Sequence, residues 1–533
     1  MKIKISTTKI ERHAMFNKHI IFTTIFFLTA GNAIRPQYPS VVITPKSAFQ
    51  ETSLKSPEPG TVFLYPEHIK LKKGGFFNAE RGWIFVPENR SKRNSNIIAI
   101  EVYRFKRSNK ANPETPPIFY LHGGPSFQGL ESNLKKLGSF EEWWMPMLDI
   151  SDVVIVSQRG IGPSKPTTII EMTMKPLSLD QPYDDGKATR EFRRTLAREK
   201  AVWDSLGVDL KGYTVPELAA DINDVRHALG YKKIILWGGS FGSHWGIAIM
   251  RYYPKIVERA ILRGLEGPNH TYDHPGHYWN IFKRVAQEAE MAPELKGFIP
   301  KDGLLKAIEI VVERVSKNPF TITVTDTNGS QDVLFDGQSI KRFADGYSGG
   351  LPGWPANVIE MYYGSFQEAA EIAVRRNKNS GKRYSTASFW MLDCGSGITT
   401  QRLSEYRADP AQEIVGSTYW SYAAGCSVWN SDLGDDFRAN FTTDIPTVLV
   451  HGTWDTSTPF ENVLDLAPYF KNSKLIPVIR GPHGAIRAAF GVSEEFKNGI
   501  MQFAETGNIS ELPDKVEMPP VEWIVPRQRK ESN

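Results

Sequence analysis

This chain of 533 residues has few cysteines, little bias in charge and few long apolar runs. Its two cysteines, without clustered histidines, exclude a disulfide-rich scaffold and a zinc site. The 64 basic and 59 acidic side chains leave a net charge of only +5, and no basic stripe is interleaved with aromatic residues. We therefore predict no nucleic-acid partner. The length and a 41% apolar content fit a globular protein with one large domain and an insertion, or with two domains.

One short apolar run lies near the N-terminus, at residues 20–30. It is shorter than the roughly 20 residues that span a bilayer. Small residues follow it, so the pattern predicts a secretory signal peptide over residues 1–33 with cleavage after Ala33. An uncleaved anchor is the alternative, and translation from Met15 would give a more compact leader. We expect a secreted or periplasmic protein without stable membrane insertion.

The two cysteines, Cys394 and Cys426, would meet an oxidising compartment in an exported protein. A disulfide between them is then expected. Two buried thiols are the alternative.

Short apolar segments that end in turns dominate two parts of the chain. Residues 82–87 and 97–105 alternate in polarity and predict a hairpin. Continuous apolar runs, which are typical of strands buried on both faces, follow at 118–121, 153–156, 234–237, 260–262, 447–450 and 475–479. Helical patterns such as residues 215–229 lie between them. An opening antiparallel hairpin followed by parallel strands and flanking helices fits the α/β-hydrolase fold.

Residues 268–444 interrupt this alternation with helical segments and many aromatic side chains. We interpret them as a largely helical cap, inserted between the sixth and seventh strands. The core would then comprise residues 34–267 and 445–533, with residues 34–75 as an extended lead-in.

The pentapeptide at residues 238–242 reads GGSFG and matches G-x-S-x-G. It follows an apolar strand and precedes a helical run, which is the context of a nucleophile elbow. Glycines on both sides of Ser240 let the strand and the helix approach each other without a clash of Cβ atoms. The context predicts Ser240 as a nucleophile, whereas a plain glycine-rich turn is the alternative.

A serine hydroxyl needs a base to take its proton, and in this fold the chain order is serine, acid, histidine. Asp455 directly follows an apolar strand, and of the eleven histidines only His483 comes after it. We predict His483 as the base and Asp455 as the acid that orients it. The alternative for Asp455 is a turn or helix-capping role.

A second glycine-rich turn, HGGP, occupies residues 122–125 after the third strand. Backbone N–H groups of Gly124 and Phe241 are predicted to form the oxyanion hole.

Several of these motifs resemble the proline iminopeptidase and tripeptidyl aminopeptidase family of serine exopeptidases. They are HGGP, SQRGIGPSKP at 157–166, the segment 220–264 around the elbow, GTWDTSTP at 452–459 and PHG at 482–484. The resemblance covers about residues 120–265 and 445–485. The family's HGGPG and DQRG motifs read HGGPS and SQRG here, with Ser126 and Ser157 at the changed positions.

The resemblance implies a peptide substrate with a free N-terminus and an acyl-enzyme at Ser240, without a metal or other cofactor. It also implies an acidic side chain that holds the α-amino group, and Glu266 is the best candidate from its position after the sixth strand. A solvated or structural carboxylate is the alternative reading of Glu266. The alternative functions are a carboxylesterase and, on the same fold, a non-catalytic binding protein. The sequence leaves the oligomeric state and the length of the released peptide open.

Overall fold

The structure is a computed structural model, and it describes residues 41–43, 57–70, 76–125, 144–162, 164–173, 178–182, 184–327, 329–342, 349–378, 382–418 and 420–527. The expected signal peptide over residues 1–33 and Ser126 lie outside the described residues.

A large mixed sheet forms the centre of the molecule. Eleven described strands build it: β1 (Val41–Ile43), β2 (Val62–Lys70), β3 (Phe76–Pro87), β4 (Ile97–Phe105), β5 (Ile118–Leu121), β6 (Val153–Val156), β8 (Ile234–Ser240), β9 (Val257–Leu265), β13 (Thr447–Gly452), β14 (Ser473–Ile479) and β15 (Val516–Glu517). Their order is β1-β2-β3-β4-β6-β5-β8-β9-β13-β14-β15. The predicted hairpin and all six predicted apolar strands are present.

Pairing in this sheet changes from antiparallel to parallel at β6. Strands β2, β3, β4 and β6 pair antiparallel, whereas every pair from β6 through β5 to β15 is parallel. Parallel strands bring their carboxyl ends to one edge of the sheet. The turns that follow β5, β8, β9, β13 and β14 therefore share that edge.

The central strands are buried on both faces, as their continuous apolar sequences require. Strand β6 is fully buried, and alternate residues of β8 join two different core clusters: Leu236 faces one and Trp237 the other. Helices cover both faces. Those that pack on the core are α1 (Met145–Leu148), α3 (Val215–Ala228), α4 (Phe241–Tyr252), α14 (Phe460–Leu466), α15 (Ala485–Phe490) and α16 (Glu494–Thr506). The predicted helix α3 begins after Thr214, whose side chain caps it by accepting from the Glu217 N–H.

The segment between β9 and β13 forms a separate helical layer. Its described helices are α5 (Pro275–Met291), α6 (Gly303–Lys317), α7 (Trp354–Tyr362), α8 (Gln367–Lys378), α9 (Ala387–Ser396), α10 (Thr400–Ala408), α11 (Gln412–Val415), α12 (Trp420–Trp429) and α13 (Asp435–Arg438). A hairpin of β10 (Phe320–Asp326) and β11 (Gly329–Phe335) accompanies them. The sequence did not indicate this hairpin.

An earlier part of the chain also joins this layer. Strand β7 (Ile169–Thr173) pairs antiparallel with β12 (Lys382–Thr386), and helix α2 (Asp185–Ser205) packs against α9 and α12 around Phe192, Leu196 and Trp390. The cap boundaries 268–444 stay a prediction, since residues before β8 contribute to the same cluster.

The disulfide between Cys394 and Cys426 is present and joins α9 to α12. Within the ranges given above, no helix has the length and apolar character that crossing a bilayer requires.

Candidate active site

Ser240 ends strand β8 and stands directly before helix α4. Its backbone has φ 56° and ψ −134°, a conformation that residues with a Cβ rarely adopt and that is typical of a nucleophile elbow. A Cβ on Gly238 would overlap the Gly242 carbonyl, and a Cβ on Gly242 would overlap the Leu121 carbonyl. Both glycines are therefore required for the close approach of β8, α4 and β5 that raises the serine above the sheet.

Asp455 and His483 lie at the same edge of the sheet, after β13 and β14. The His483 Nδ1–H donates to Asp455 Oδ2 at 2.8 Å, which leaves Nε2 as the ring nitrogen that can accept a proton. Asp455 is fully buried, whereas about a third of the His483 side chain is exposed. The structure thus places the predicted acid and base in the relation that a triad requires.

Further donors surround the Asp455 carboxylate. The N–H groups of Ser457 and Thr458 each donate to Oδ1 at 2.9 Å, and the Thr458 hydroxyl donates to Oδ2 at 2.9 Å. Burial alone would raise the pKa of Asp455, but the hydrogen bond and charge of His483 and the Thr458 N–H hold it below the ordinary value. Asp455 therefore stays ionised at neutral pH and keeps the His483 ring in one tautomer.

A β-bulge at Gly264 brings this pair next to the nucleophile strand. In the register of β8 and β9, Gly239 pairs with Arg263 and Ser240 with Leu265, so Gly264 is the extra residue. Its φ is 49°, and a Cβ there would lie 3.2 Å from His483 Cε1 and 3.3 Å from Asp455 Oδ2. A Cβ at this position would press on the Asp455–His483 pair, so glycine suits this distance between the pair and the strand.

The HGGP turn lies beside the nucleophile. A Cβ on Gly123 would lie 2.8 Å from Ser240 Cβ and 3.5 Å from Ser240 Oγ. The Gln158 side-chain amide donates to the Gly124 carbonyl at 2.9 Å, which fixes the orientation of that peptide. The predicted oxyanion residues, Gly124 and Phe241, thus lie on the two backbone segments that flank Ser240.

His122 lies beneath this turn and is not available for proton transfer at neutral pH. It is buried, and the burial lowers its pKa to about 4. Its Nδ1 lies 3.4 Å from the Gln158 side-chain nitrogen. The neutral ring supports the turn.

The SQRG turn is anchored through Arg159. The Arg159 guanidinium is buried and binds both oxygens of Asp221 on α3, and it also donates to the Gly212 carbonyl at 2.7 Å. Bidentate pairs of this kind fix geometry as well as charge. Ser157, which replaces the family's carboxylate, donates to Glu101 Oε2 at 3.3 Å, so a carboxylate from β4 lies beside this position.

Glu266 is tied to the nucleophile through one serine. Its N–H donates to Ser243 Oγ at 2.9 Å, and the Ser243 hydroxyl donates to the Ser240 carbonyl at 2.7 Å. The Glu266 side chain is partly exposed, and in the described part of the chain no donor reaches its carboxylate. Glu266 follows β9, as predicted, and its backbone is connected to that of Ser240 through the Ser243 hydroxyl.

Two further carboxylates interact electrostatically with Glu266: Asp273, before α5, and Asp393, on α9. Burial, together with the neighbouring charges of Asp455 and Asp393, raises the pKa of Asp273 to about 8. Burial raises the pKa of Asp393 to about 7 although Tyr422 donates to it, and burial and both aspartates raise the pKa of Glu266. Among the described residues, Arg402 on α10 is a cation that acts on Asp273, and its charge opposes the rise of that pKa without cancelling it.

The sequence did not indicate Asp273, Asp393 or Gln158 as site residues. The aspartates lie in the insertion, where no strand end marks them, although a carboxylate nine residues after the L-R-G turn was a usable signal. His244 was also missed: its Nε2 lies 3.1 Å from Ser396 Oγ on α9, and this contact joins the elbow helix to the insertion.

The sheet order, the elbow at Ser240 and the turns at one sheet edge define an α/β-hydrolase fold. The family model for the α/β hydrolase fold matches residues 116–287, and the model for TAP-like proteins matches residues 412–511.

Curated relatives carry the resemblance to exopeptidases. The chain is 27% identical over 193 residues to a tripeptidyl aminopeptidase of Streptomyces coelicolor, a match that covers 35% of each chain. It is also 27% identical over 165 residues to a proline iminopeptidase of Neisseria meningitidis, covering 31% of this chain and 37% of that one. The resemblance is thereby confirmed, and the matches span about a third of the relatives' length.

Solved structures that this chain is similar to include a meta-cleavage product hydrolase from Pseudomonas fluorescens. It is 13% identical, with a TM-score of 0.31 over 77% of this chain and 96% of that one. An esterase from Exiguobacterium antarcticum gives 13% identity and a TM-score of 0.30, over 77% of this chain and 96% of that one.

Proposed function

We propose that this chain is an exported serine aminopeptidase that releases N-terminal residues or short peptides from peptides with a free α-amino group. The observation that carries the proposal is the carboxyl cluster of Glu266, Asp273 and Asp393 beside the Ser240 elbow. The Asp455–His483 pair, the backbone conformation of Ser240 and the exopeptidase relatives support the same interpretation.

Acylation would begin with Ser240 attacking the scissile carbonyl carbon while His483 Nε2 takes the hydroxyl proton. The tetrahedral oxyanion would accept hydrogen bonds from the N–H groups of Gly124 and Phe241. His483, held by Asp455, then passes its proton to the leaving amine as the carbon–nitrogen bond breaks. The acyl group remains bonded to Ser240 Oγ.

Deacylation repeats these steps with water in place of the serine. His483 takes a proton from water, the hydroxide oxygen bonds to the acyl carbon, and the proton returns to Ser240 Oγ as the ester breaks. The groups of the chain itself carry out both half-reactions in this proposal.

The carboxyl cluster would recognise the substrate's ammonium group. An ammonium that enters a dry pocket loses its hydration and needs an opposite charge as compensation. Burial raises the pKa values of Asp273 and Asp393 to about 8 and about 7, although Arg402 acts on Asp273 and Tyr422 donates to Asp393. The opposing contacts therefore do not fully compensate the burial of these two carboxyls in the free protein. A bound ammonium would lower these pKa values and ionise the carboxyls that hold it.

A pair of matched substrates tests the proposal. Wild-type protein should cleave an aminoacyl or tripeptidyl p-nitroanilide with a free amine at least 10-fold faster, by kcat/KM, than the N-acetylated twin. The reason is that the acetyl group removes the charge for which the carboxyl cluster is built. Ser240→Ala should abolish both activities, with a loss in kcat on the order of 10⁴ or more, and should not be labelled by a fluorophosphonate. Equal cleavage of the twins would refute amine recognition.

Substitution of Glu266 provides the second arm of this test. Glu266→Gln should raise KM for the free-amine anilide by about 10-fold, as expected for the loss of a hydrogen bond to a charged group. The kcat/KM for p-nitrophenyl acetate, which has no amine, serves as the control. A protein that cleaves this ester well but no anilide would be a carboxylesterase, and one that cleaves neither would be a binding protein.

A further inference from the structure

Tyr422, on helix α12, links the acidic residues of the insertion. Its hydroxyl donates to Asp393 Oδ2 at 2.8 Å. Its ring stacks on Tyr272 with centroids 5.2 Å apart and an interplanar angle of 14°. Tyr272 directly precedes Asp273, so one side chain contacts Asp393 and the neighbour of Asp273.

The disulfide lies next to this contact on both helices. Cys394 directly follows Asp393 on α9, and Cys426 lies four residues, about one helical turn, after Tyr422 on α12. The covalent bond therefore holds together the two helices that the Tyr422–Asp393 hydrogen bond joins.

Helix α9 is also attached to the nucleophile helix. Ser396 Oγ lies 3.1 Å from His244 Nε2, and His244 Nδ1 contacts the Gly267 carbonyl at 3.1 Å. Since Gly267 follows Glu266, this chain of contacts relates α9 to the segment of Glu266. Asp393 is thus fixed towards the elbow by Ser396 and towards α12 by Tyr422 and the disulfide.

We propose that Tyr422 and the Cys394–Cys426 disulfide are positioning groups that hold the Asp393 carboxylate in the amine subsite and favour its charged form. This inference rests on the proposed function. Among the described residues, the titratable groups that interact with Asp393 are Glu266 from the end of β9, Asp273 from the loop before α5, and Tyr422 from α12. Arg402, on α10, acts on Asp273.

Tyr422 acts on the pKa of Asp393 in a definite direction. Burial raises the pKa of Asp393, and the hydrogen bond from Tyr422 acts in the opposite direction. Burial and the carboxylates around it raise the pKa of Tyr422, so its hydroxyl stays a donor. Loss of this donor would leave Asp393 protonated up to a higher pH and less able to bind an ammonium.

Tyr422→Phe tests the proposal in the full-length protein. The ratio of kcat/KM for a free-amine anilide to kcat/KM for p-nitrophenyl acetate should fall about 10-fold, mainly through KM, as expected for a hydrogen bond to a charged group. The acid limb of the anilide pH profile should move to higher pH. Tyr231→Phe is the matched control, because Tyr231 donates to Asp152 at 2.6 Å at the opposite edge of the sheet. That variant should keep the wild-type ratio and pH profile.

The double substitution Cys394→Ala with Cys426→Ala tests the covalent part. The ratio should fall in the same direction as for Tyr422→Phe, measured on protein whose circular dichroism matches that of the wild type. A wild-type ratio and acid limb in Tyr422→Phe would overturn the positioning role, and so would an equal loss of ester and anilide cleavage. A wild-type ratio in the cysteine variant would remove the disulfide from the proposal.

The proposed function fails in a different experiment. If the wild-type protein cleaves N-acetylated and free anilides equally, the amine subsite itself is wrong. If wild type discriminates between them and the Tyr422→Phe ratio is unchanged, only the positioning role is wrong.

Discussion

At the scale of single residues, Gly264 shows how the absence of a Cβ affects the packing of the Asp455–His483 pair. It occupies the bulge between Arg263 and Leu265 with φ 49°, against the Asp455–His483 pair. A methyl group there would have to displace His483 or Asp455, and the positive φ would add backbone strain.

Gly264→Ala should therefore reduce kcat for any substrate by at least about 10-fold and destabilise the fold by about 1–3 kcal/mol. Gly230→Ala is the control, since Gly230 has φ 78° but no atom within 4 Å of the Cβ position. The control should lose stability to a similar extent and keep kcat. Kinetics with p-nitrophenyl acetate and urea unfolding measure the two effects, and an unchanged kcat in Gly264→Ala would contradict the packing argument.

The sequence indicates residues whose role depends on local chain order. Ser240 was predicted from the glycines around it, and Asp455 and His483 from their places after apolar strands. Gln158, His244 and Asp393 could not be found in this way, because their partners lie 34, 23 and 29 residues away or more. The spacing of a motif carries no information about which distant segment will pack against it.

At the scale of elements, helix α2 carries a buried carboxyl group, Glu199, that has no hydrogen-bond partner among the described residues. The Glu199 side chain is buried, both of its carboxyl oxygens lack a hydrogen-bond donor, and burial raises its pKa to about 8. The raised pKa means that folding favours the protonated form. The stability tied to this proton is fully present below about pH 4.5 and is lost as the pH rises towards 8.

Glu199→Gln should accordingly stabilise the protein relative to wild type by about 2–4 kcal/mol at pH 8 and by much less at pH 5. Glu191→Gln, an exposed substitution on the same helix, should show little difference at either pH. Unfolding in urea at the two pH values measures both variants. A Glu199→Gln stability curve parallel to that of wild type would contradict the assigned burial cost.

The sequence patterns predict more of the strands and helices of the core than of the insertion. Continuous apolar runs become parallel strands because both faces are covered, and this rule gave all six such strands. Strand β2 lies in the segment 34–75, which the sequence predicts as an extended lead-in because it is rich in Pro, Ser and Lys. Most residues of the β10–β11 hairpin are exposed or partly exposed, and β11 lacks a clear alternation of apolar and polar residues.

At the scale of the whole molecule, part of the insertion forms an apolar cluster of its own, whereas Leu392 and Phe437 of the insertion pack in the cluster of the core. The residues of α5 to α8 and of the β10–β11 hairpin pack mainly with one another, and polar contacts such as Ser396–His244 and Ser388–Arg159 join the two layers. A layer with its own core can adopt a sequence unlike that of its relatives while the sheet keeps its order.

At the scale of the whole chain, we predict that the protein is exported. We expect material from the culture medium or periplasm to begin at Ile34, because the signal peptide predicted over residues 1–33 would be removed. The disulfide fits an oxidising compartment. N-terminal sequencing measures the start of the mature chain. A mature protein that retains residues 22–28 would instead be anchored by that segment.

The carboxyl cluster would make the proposed peptide cleavage depend on the pH of the medium. The pKa values of Glu266, Asp273 and Asp393 are raised, and in the proposed function a substrate ammonium would bind the same oxygen atoms. Protons and substrate would then compete for one site. Acidification of the medium would act as a competitive inhibitor of peptide cleavage, overcome by more substrate, while hydrolysis of an uncharged ester would escape it.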